Sequence, residues 1–310
     1  MGFVKVAVTG ASGFVGRHVA LALAARGHDV VGFGRRRPDA CTARLPSYRQ
    51  WDIARDLADA PLVDAVVHCA AHVADWGDEA RFHAVNMEGT RRVLAAFSGS
   101  RFVHVSTSSV YSDHVRTVRV REDASIGACA HSAYARSKAA AERLVLAVRP
   151  DAVVLRPHVV YGPGDTTLLP RLLHARRLGR LWLPGDGTSL LSVTCVGNLV
   201  LAVTSALMER SAAGVFNIAD EAPIGVDALV RLALSRMQMA SPIVHLPAPV
   251  ARRIATALEA TWRAAPLPGA PPLTRYVVKQ LSAEHTLDTS RAREELGYVP
   301  RWSVHDIAFR

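Results

Sequence analysis

Tyr134 and Lys138 stand four residues apart in Tyr134-Ala135-Arg136-Ser137-Lys138. On a helix that spacing puts both side chains on one face, a turn apart. A phenol titrates at about pH 10 in water, too high to exchange a proton readily at neutral pH. An ammonium beside it favours the phenolate and lowers that value, which suits the pair to general acid/base work. The hydroxyl run Ser106-Thr107-Ser108-Ser109 comes earlier in the chain. Near the N-terminus, Thr9-Gly10-Ala11-Ser12-Gly13-Phe14-Val15-Gly16 follows an apolar run. Glycines there let a pyrophosphate approach the backbone and meet the amides of a helix N-terminus. The next apolar run ends in Gly34-Arg35-Arg36-Arg37 without an acid. A guanidinium can hold a phosphate by a bidentate, charge-assisted pair. His68 and His72 have a spacing that could suit a metal, but the small residues between them favour a packing or cofactor-wall role, and no metal site is expected.

The elements that must position these groups follow from the alternation of short Val-rich runs with longer Ala/Leu/Arg segments. Strands are expected at 4–8, 30–33, 65–68, 102–106 and 153–156, and helices at about 13–26, 87–96 and 133–148. That texture predicts βαβ units around a parallel sheet buried on both faces, with ligands at the carboxyl ends of the strands. The fold class is α/β, a doubly wound Rossmann sheet with a smaller C-terminal substrate-binding lobe. Residues 1–165 are expected to form the dinucleotide-binding domain. Residues 166–310, punctuated by Pro266-Leu267-Pro268-Gly269 and Pro271-Pro272, form mainly the lobe, and about 190–220, notably Val215-Phe216-Asn217-Ile218, returns to the sheet. A helix over 254–262 places Ile254, Leu258 and Trp262 on one face, as a packing element of the lobe or a membrane-surface or substrate-access element.

With 310 residues, half of them apolar, the chain can bury a large core. The net charge of +10 suits an anionic partner or an Arg-rich solvated surface. The basic residues are scattered, with no Lys/Arg block interleaved with aromatics, so no nucleic-acid partner is expected. Cys41, Cys69, Cys129 and Cys195 lack paired spacing and read as free thiols in a reducing cytosol. The chain opens on a strand pattern without a leader, and its longest apolar stretch is too short to span a bilayer. A cytoplasmic protein without stable membrane insertion is expected.

The glycine-rich segment resembles the TGxxGxxG motif of extended short-chain dehydrogenases/reductases, the NAD(P)-dependent epimerase/dehydratase superfamily, and Tyr134 with Lys138 resembles that family's YxxxK pair. The resemblance implies that Gly10, Ser12, Gly13, Phe14, Val15 and Gly16 bind the cofactor. It implies further cofactor contacts from Asp52 and Ile53 at the adenine, from Ala70 and Ala71 at a small-residue strand end, and from Pro157. Tyr134 would be the proton donor or acceptor. Lys138 would lower its pKa and hold the nicotinamide ribose. Thr107, four residues before Tyr111, would bind the substrate oxygen, with Ser108 as the alternative. The arginines at the end of the second strand favour NADP(H) over NAD, with Arg35 the leading 2′-phosphate contact and Arg36 the second. A homodimer is common in the family and is the default here.

The resemblance continues through Asn86-Met87-Glu88-Gly89-Thr90, Leu155-Arg156-Pro157-His158-Val159-Val160-Tyr161-Gly162-Pro163-Gly164-Asp165 and Glu294-Glu295-Leu296-Gly297-Tyr298-Val299-Pro300. Sugar-nucleotide members hold a diphosphate with an amide and an arginine, and the corresponding positions here are Val159 and Leu191. Neither can pair with a phosphate in a closed site, so the pocket is expected to take an apolar ligand. Softer matches point to the 3β-hydroxysteroid dehydrogenase-like branch, which includes reductases of long-chain 2-alkyl-3-oxo acids. They are Ala74-Asp75-Trp76-Gly77, His158, Leu168-Leu169-Pro170-Arg171-Leu172-Leu173 and Pro271-Pro272-Leu273-Thr274-Arg275-Tyr276. The expected activity is NADP(H)-dependent reduction of a ketone, or oxidation of a secondary alcohol, on a hydrophobic 3-oxo or 3-hydroxy substrate. The alternatives are a nucleotide-sugar epimerase or reductase and a non-catalytic NADP-sensing protein.

Overall fold

The computed structural model describes residues 4–40, 42–55, 59–115, 117–129, 132–165, 175–177, 179–265 and 267–306. Cys41, the segment 168–173 and Pro266 lie outside the described residues.

Seven strands form the central sheet: β1 (Lys5–Thr9), β2 (Asp29–Gly34), β3 (Ser47–Gln50), β4 (Ala65–His68), β5 (Arg101–Val105), β6 (Val153–Pro157) and β7 (Gly214–Ile218). Their order is β7-β6-β5-β4-β1-β2-β3, with every pair parallel. Val6, Val8, Val66, Val67 and Val103 are fully buried, the continuous apolar signature of a sheet covered on both faces. The order reverses beside β1, so the carboxyl ends of β1 and β4 diverge around a crevice.

The long helices are α1 (Phe14–Ala25), α2 (Gly89–Ala96), α3 (Ala133–Val148), α4 (Val196–Met208), α5 (Val226–Arg236), α6 (Ala248–Ala264), α7 (Arg275–Ser282) and α8 (Ser290–Leu296). One face of the sheet packs Val19 and Leu23 of α1, Leu199 and Val203 of α4 and Ala292 of α8. The other packs Val93 and Leu94 of α2 and Val145 of α3 with Phe33, Trp51 and Phe97. The α2 segment is entered through a π-helical turn, His83–Glu88, rather than a regular helix from residue 87.

A second core joins Leu181, Leu183, Leu191 and Val193 to Val226, Leu229 and Val230 of α5. In α6 the buried face is Ala251, Ala255 and Glu259, while Ile254 is 42 % exposed. Glu259 is buried because it accepts from Arg275 N and Nε at 2.7 and 2.8 Å. Of the stripe read from the sequence, Ile254 is exposed while Leu258 and Trp262 are half-buried. Among the described residues, no helix is long and apolar enough to cross a membrane.

Candidate active site

The β1–α1 turn is built so that backbone comes close to whatever lies above it. Gly10 has φ +72°, and a Cβ there would stand 2.8 Å from Ala70 N. A Cβ on Gly16 would collide with the Gly10 carbonyl oxygen. Gly13 N donates to Gly10 O at 2.8 Å, closing the turn. Gly13 is also the N-cap and supplies no side-chain acceptor, so the first-turn amides of Phe14, Val15 and Gly16 are left to an anion. Ser12 is buried against the end of β2. These features fit the pyrophosphate of a dinucleotide.

Arg35 and Arg36 follow β2 and are exposed. Their backbones are pinned from β3, with Gln50 Nε2 donating to Arg35 O at 3.0 Å and Tyr48 OH to Arg36 O at 2.8 Å. Asp52 is half-buried and its Oδ1 accepts from Ala54 N at 3.1 Å. Ile53 is buried with Trp51 and meets Gly89. Ala70 and Ala71 are half-buried after β4, and Ala70 N donates to Thr9 Oγ1 at 3.3 Å. Pro157 is buried at the end of β6. His68 has both ring nitrogens engaged, Nδ1 with Thr9 Oγ1 at 2.7 Å and Nε2 with Thr90 Oγ1 at 2.9 Å. Burial, and then the Lys138 charge, push its pKa down to about 3. It is a neutral strut, and it does not join His72 in a metal pair.

Ser132 caps α3, its hydroxyl accepting from Ala135 N at 3.1 Å. Tyr134 is half-buried in the first turn, with its ring 6.4 Å from that of Phe82. Asn86 ties this turn to the loop after β4. Its Oδ1 accepts from His72 N at 2.7 Å, and its Nδ2 donates to His72 O at 3.0 Å and to Ser137 Oγ at 2.9 Å. Ser137 Oγ in turn donates to Tyr134 O at 2.7 Å.

One turn on, Lys138 is only 2 % exposed. Its Nζ donates to Val105 O at 2.9 Å and lies 3.2 Å from His104 Nε2. Burial lowers its pKa to about 8, opposed by the nearby Glu142 carboxylate. The Cys69 thiol is itself pushed up to about 12 by burial. Thr107 ends the β5 segment and caps a short 3₁₀ turn, accepting from Ser109 N at 3.2 Å. Ser108 Oγ is engaged 2.6 Å from His158 Nδ1. Beneath them the buried carboxylate of Glu142 pairs with Arg156 and accepts from Ser106 Oγ at 2.8 Å.

A pocket open to solvent lies beside this group, lined in part by Ser108, Ser109, Ser132, Ala135, His158 and Tyr276. Leu191, expected at a ligand wall, is instead 2 % exposed in the second core, and Val159 packs against the same core. Their apolar character is explained by packing. Val159 also has φ +34°, an unfavourable value for a β-branched residue. Asn86 and His158 were read only as family matches without a role, and His104 and His285 were not singled out, because an isolated polar residue in an apolar run carries no spacing signal.

The profile of the NAD dependent epimerase/dehydratase family matches residues 6–219. The chain is 33 % identical over 327 residues to a 2-alkyl-3-oxoalkanoate reductase of Stenotrophomonas maltophilia, covering 97 % of this chain and 96 % of that protein. It is 32 % identical to the 4-hydroxy-2-methyl-3-oxo-4-farnesyl-3,4-dihydroquinoline-1-oxide ketoreductase of Stigmatella aurantiaca, covering 95 % and 91 %. Among solved structures, the UDP-glucuronic acid 4-epimerase of Bacillus cereus in complex with NAD superposes with a TM-score of 0.72 at 23 % identity, covering 98 % and 96 %.

Proposed function

Because the chain belongs to the NAD dependent epimerase/dehydratase family, we propose that it is an NADP(H)-dependent ketone reductase, or secondary-alcohol dehydrogenase in reverse, acting on a hydrophobic 3-oxo or 3-hydroxy substrate. The reductase names of its relatives support chemistry at C=O and CH–OH groups. The observation that carries the reading is the placement of Lys138, buried one helical turn from Tyr134 with its ammonium held at Val105 O and His104 Nε2.

The turn at Gly10, Ser12, Gly13, Phe14, Val15 and Gly16 would hold the pyrophosphate. Asp52, Ile53, Ala70, Ala71 and Pro157 would bound the rest of the cofactor. Arg35 and Arg36 have no ion-pair partner among the described residues and would bind a 2′-phosphate, the feature that separates NADP from NAD. Bound there, a nicotinamide dinucleotide supplies or accepts the hydride. Thr107 orients the substrate oxygen by a hydrogen bond. Tyr134 gives its phenolic proton to that oxygen as the carbonyl becomes an alcohol, and takes it back in the reverse direction. Lys138 stabilises the phenolate left behind. Asn86 fixes the turn that carries Tyr134 by its bond to Ser137.

NADPH consumption against a panel of 3-oxo acids, 3-oxosteroids and nucleotide sugars tests the reading. Turnover of the 3-oxo compounds is expected. Turnover confined to nucleotide sugars, or none with any carbonyl, would overturn it.

A further inference from the structure

The cavity beside Tyr134 has two polar heads that its own walls leave unsatisfied. His158 is 5 % exposed, and its Nδ1 is fixed by Ser108 Oγ at 2.6 Å. Its Nε2 is buried and has no hydrogen-bond partner among the described residues. Gln280, on α7, lines the same cavity, and its Oε1 is likewise buried and unpartnered among the described residues. Several other polar groups of the wall are engaged with one another. Ser109 Oγ lies 2.9 Å from Tyr276 OH, and Lys279 Nζ donates to Asp113 Oδ1 at 2.6 Å. His285 stacks on His158 with ring centroids 5.7 Å apart and lies 3.2 Å from Lys279 O through Nε2.

The protonation state follows from the surroundings. Burial and the neighbouring His285 push the His158 pKa down to about 3, so the ring is neutral. In the tautomer whose Nδ1 accepts from the Ser108 hydroxyl, the ring proton sits on Nε2, facing the cavity as a donor. The Gln280 amide can turn to present its NH₂ group. With the amide so turned, one pocket carries two donors, which suits the two oxygens of a carboxylate. Leaving such buried groups unmade is costly, so a ligand supplying the acceptors is favoured over one that cannot.

We propose that His158 and Gln280 form a carboxyl-reading site, which holds the carboxylate of a 3-oxo or 3-hydroxy acid while its third carbon reacts at Tyr134. The assignment rests on the ketone-reductase reading. Ser108 directly follows Thr107, and Ser132 and Ala135 flank Tyr134, so the pocket wall borders the segments that carry the reacting group. The site would make the enzyme select acids over plain ketones of the same chain length, a preference that apolar walls alone would not give.

The test uses stable substrates in the oxidative direction. The ratio of kcat/KM for a 2-alkyl-3-hydroxy acid to that for the secondary alcohol lacking the carboxyl is measured in the wild type, His158→Phe and Gln280→Leu. The wild type is expected to prefer the acid, and each variant to lower the ratio about tenfold or more. A ratio unchanged in both variants, or no acid preference in the wild type, would overturn the proposal. The two substitutions lie on separate elements, so a folding defect in one does not decide the outcome. Calorimetric binding of the acid and the alcohol to the NADP⁺-loaded protein separates the two readings. Acid-selective binding that the variants lose, without turnover of either compound, keeps the carboxyl site and sinks the reductase assignment. Binding that does not distinguish acid from alcohol sinks the carboxyl site.

Discussion

Lys138 Nζ lies 3.2 Å from His104 Nε2, so a buried ammonium on α3 is met by a neutral imidazole from the middle of β5. The contact holds the charge in a place where burial works against it. His104 is kept well below the ordinary imidazole range by burial and by the Lys138 charge, so it accepts rather than competes. Lys138 itself is lowered to about 8. Reduction should therefore slow as the pH rises through about 8, where the ammonium that stabilises the Tyr134 phenolate is lost. The groups facing that ammonium are His104 and the Val105 carbonyl on β5, His68 and Cys69 from β4, and Glu142 on its own helix. Replacing His104 by Phe removes an acceptor for the charged form and should move the limb to lower pH, whereas His104→Gln should hold it nearer the wild-type value. A pH profile of kcat/KM that is the same in all three proteins would count against the tuning role.

Tyr134→Phe keeps the ring beside Phe82 and removes only the hydroxyl that carries the proton. The expected loss in kcat is about a hundredfold to ten-thousandfold, the usual range for a general acid, with NADPH binding unchanged. Thr107→Ala should cost less, since it removes an orienting hydrogen bond, while Ser108→Ala should act through His158. Single-turnover measurements with NADPH bound separate these effects. Near-normal rates in Tyr134→Phe would mean that another group delivers the proton.

Arg35 projects from an exposed loop whose backbone is braced by Gln50 and Tyr48. Because the brace uses the carbonyls, Arg35→Ala should leave the loop in place and remove only the guanidinium. Affinity for NADPH should fall about tenfold or more, as a charge-assisted bond is lost, and NADH affinity should change little. Fluorescence titration of both cofactors reads the difference. Equal losses for the two would move the 2′-phosphate contact elsewhere.

The buried histidines also predict a stability profile. His68 and His158 are lowered to about 3 and His285 to about 4, in each case first by burial. An unfolded histidine binds its proton at about pH 6.5, so between that value and pH 4 the unfolded chain holds more protons than the native one. Stability then rises with pH across that window and is lost as the pH falls through it. Tm should drop steadily from pH 6.5 to pH 4. A flat Tm over that range would show that these rings charge without unfolding the protein.

Much of the sheet was legible because periodicity survives in single sequences. The Val-rich runs at β1, β2, β4, β5 and β6 each register as strands, and α3 carries its cap and both ends in its own residues. The β3 segment, Ser47-Tyr48-Arg49-Gln50, is polar and half-exposed at the sheet edge, so it gives no such pattern. The cradle was legible because backbone geometry writes itself as glycine. The contacts of His104, His158 and Gln280 were not, because their partners are brought together only by tertiary folding. Leu191 shows the opposite failure. Its apolar side chain fits both a ligand wall and a core, and burial decided for the core.

The pairing of β7 with β6 has a consequence for how this protein can be cut and rebuilt. After β6 the chain leaves the sheet for the second core and comes back as α4 and β7. It departs again to build α5, and returns once more as α8 against α1's side of the sheet. The two bodies are laced together by repeated crossings rather than joined at a hinge. A truncation after residue 165 would strip Leu199, Phe216 and Ala292 from one face of the sheet and leave β6 as a bare edge. Exchanging the lobe for that of a relative would therefore take several simultaneous splices, and new specificity is better sought by point changes within the wall.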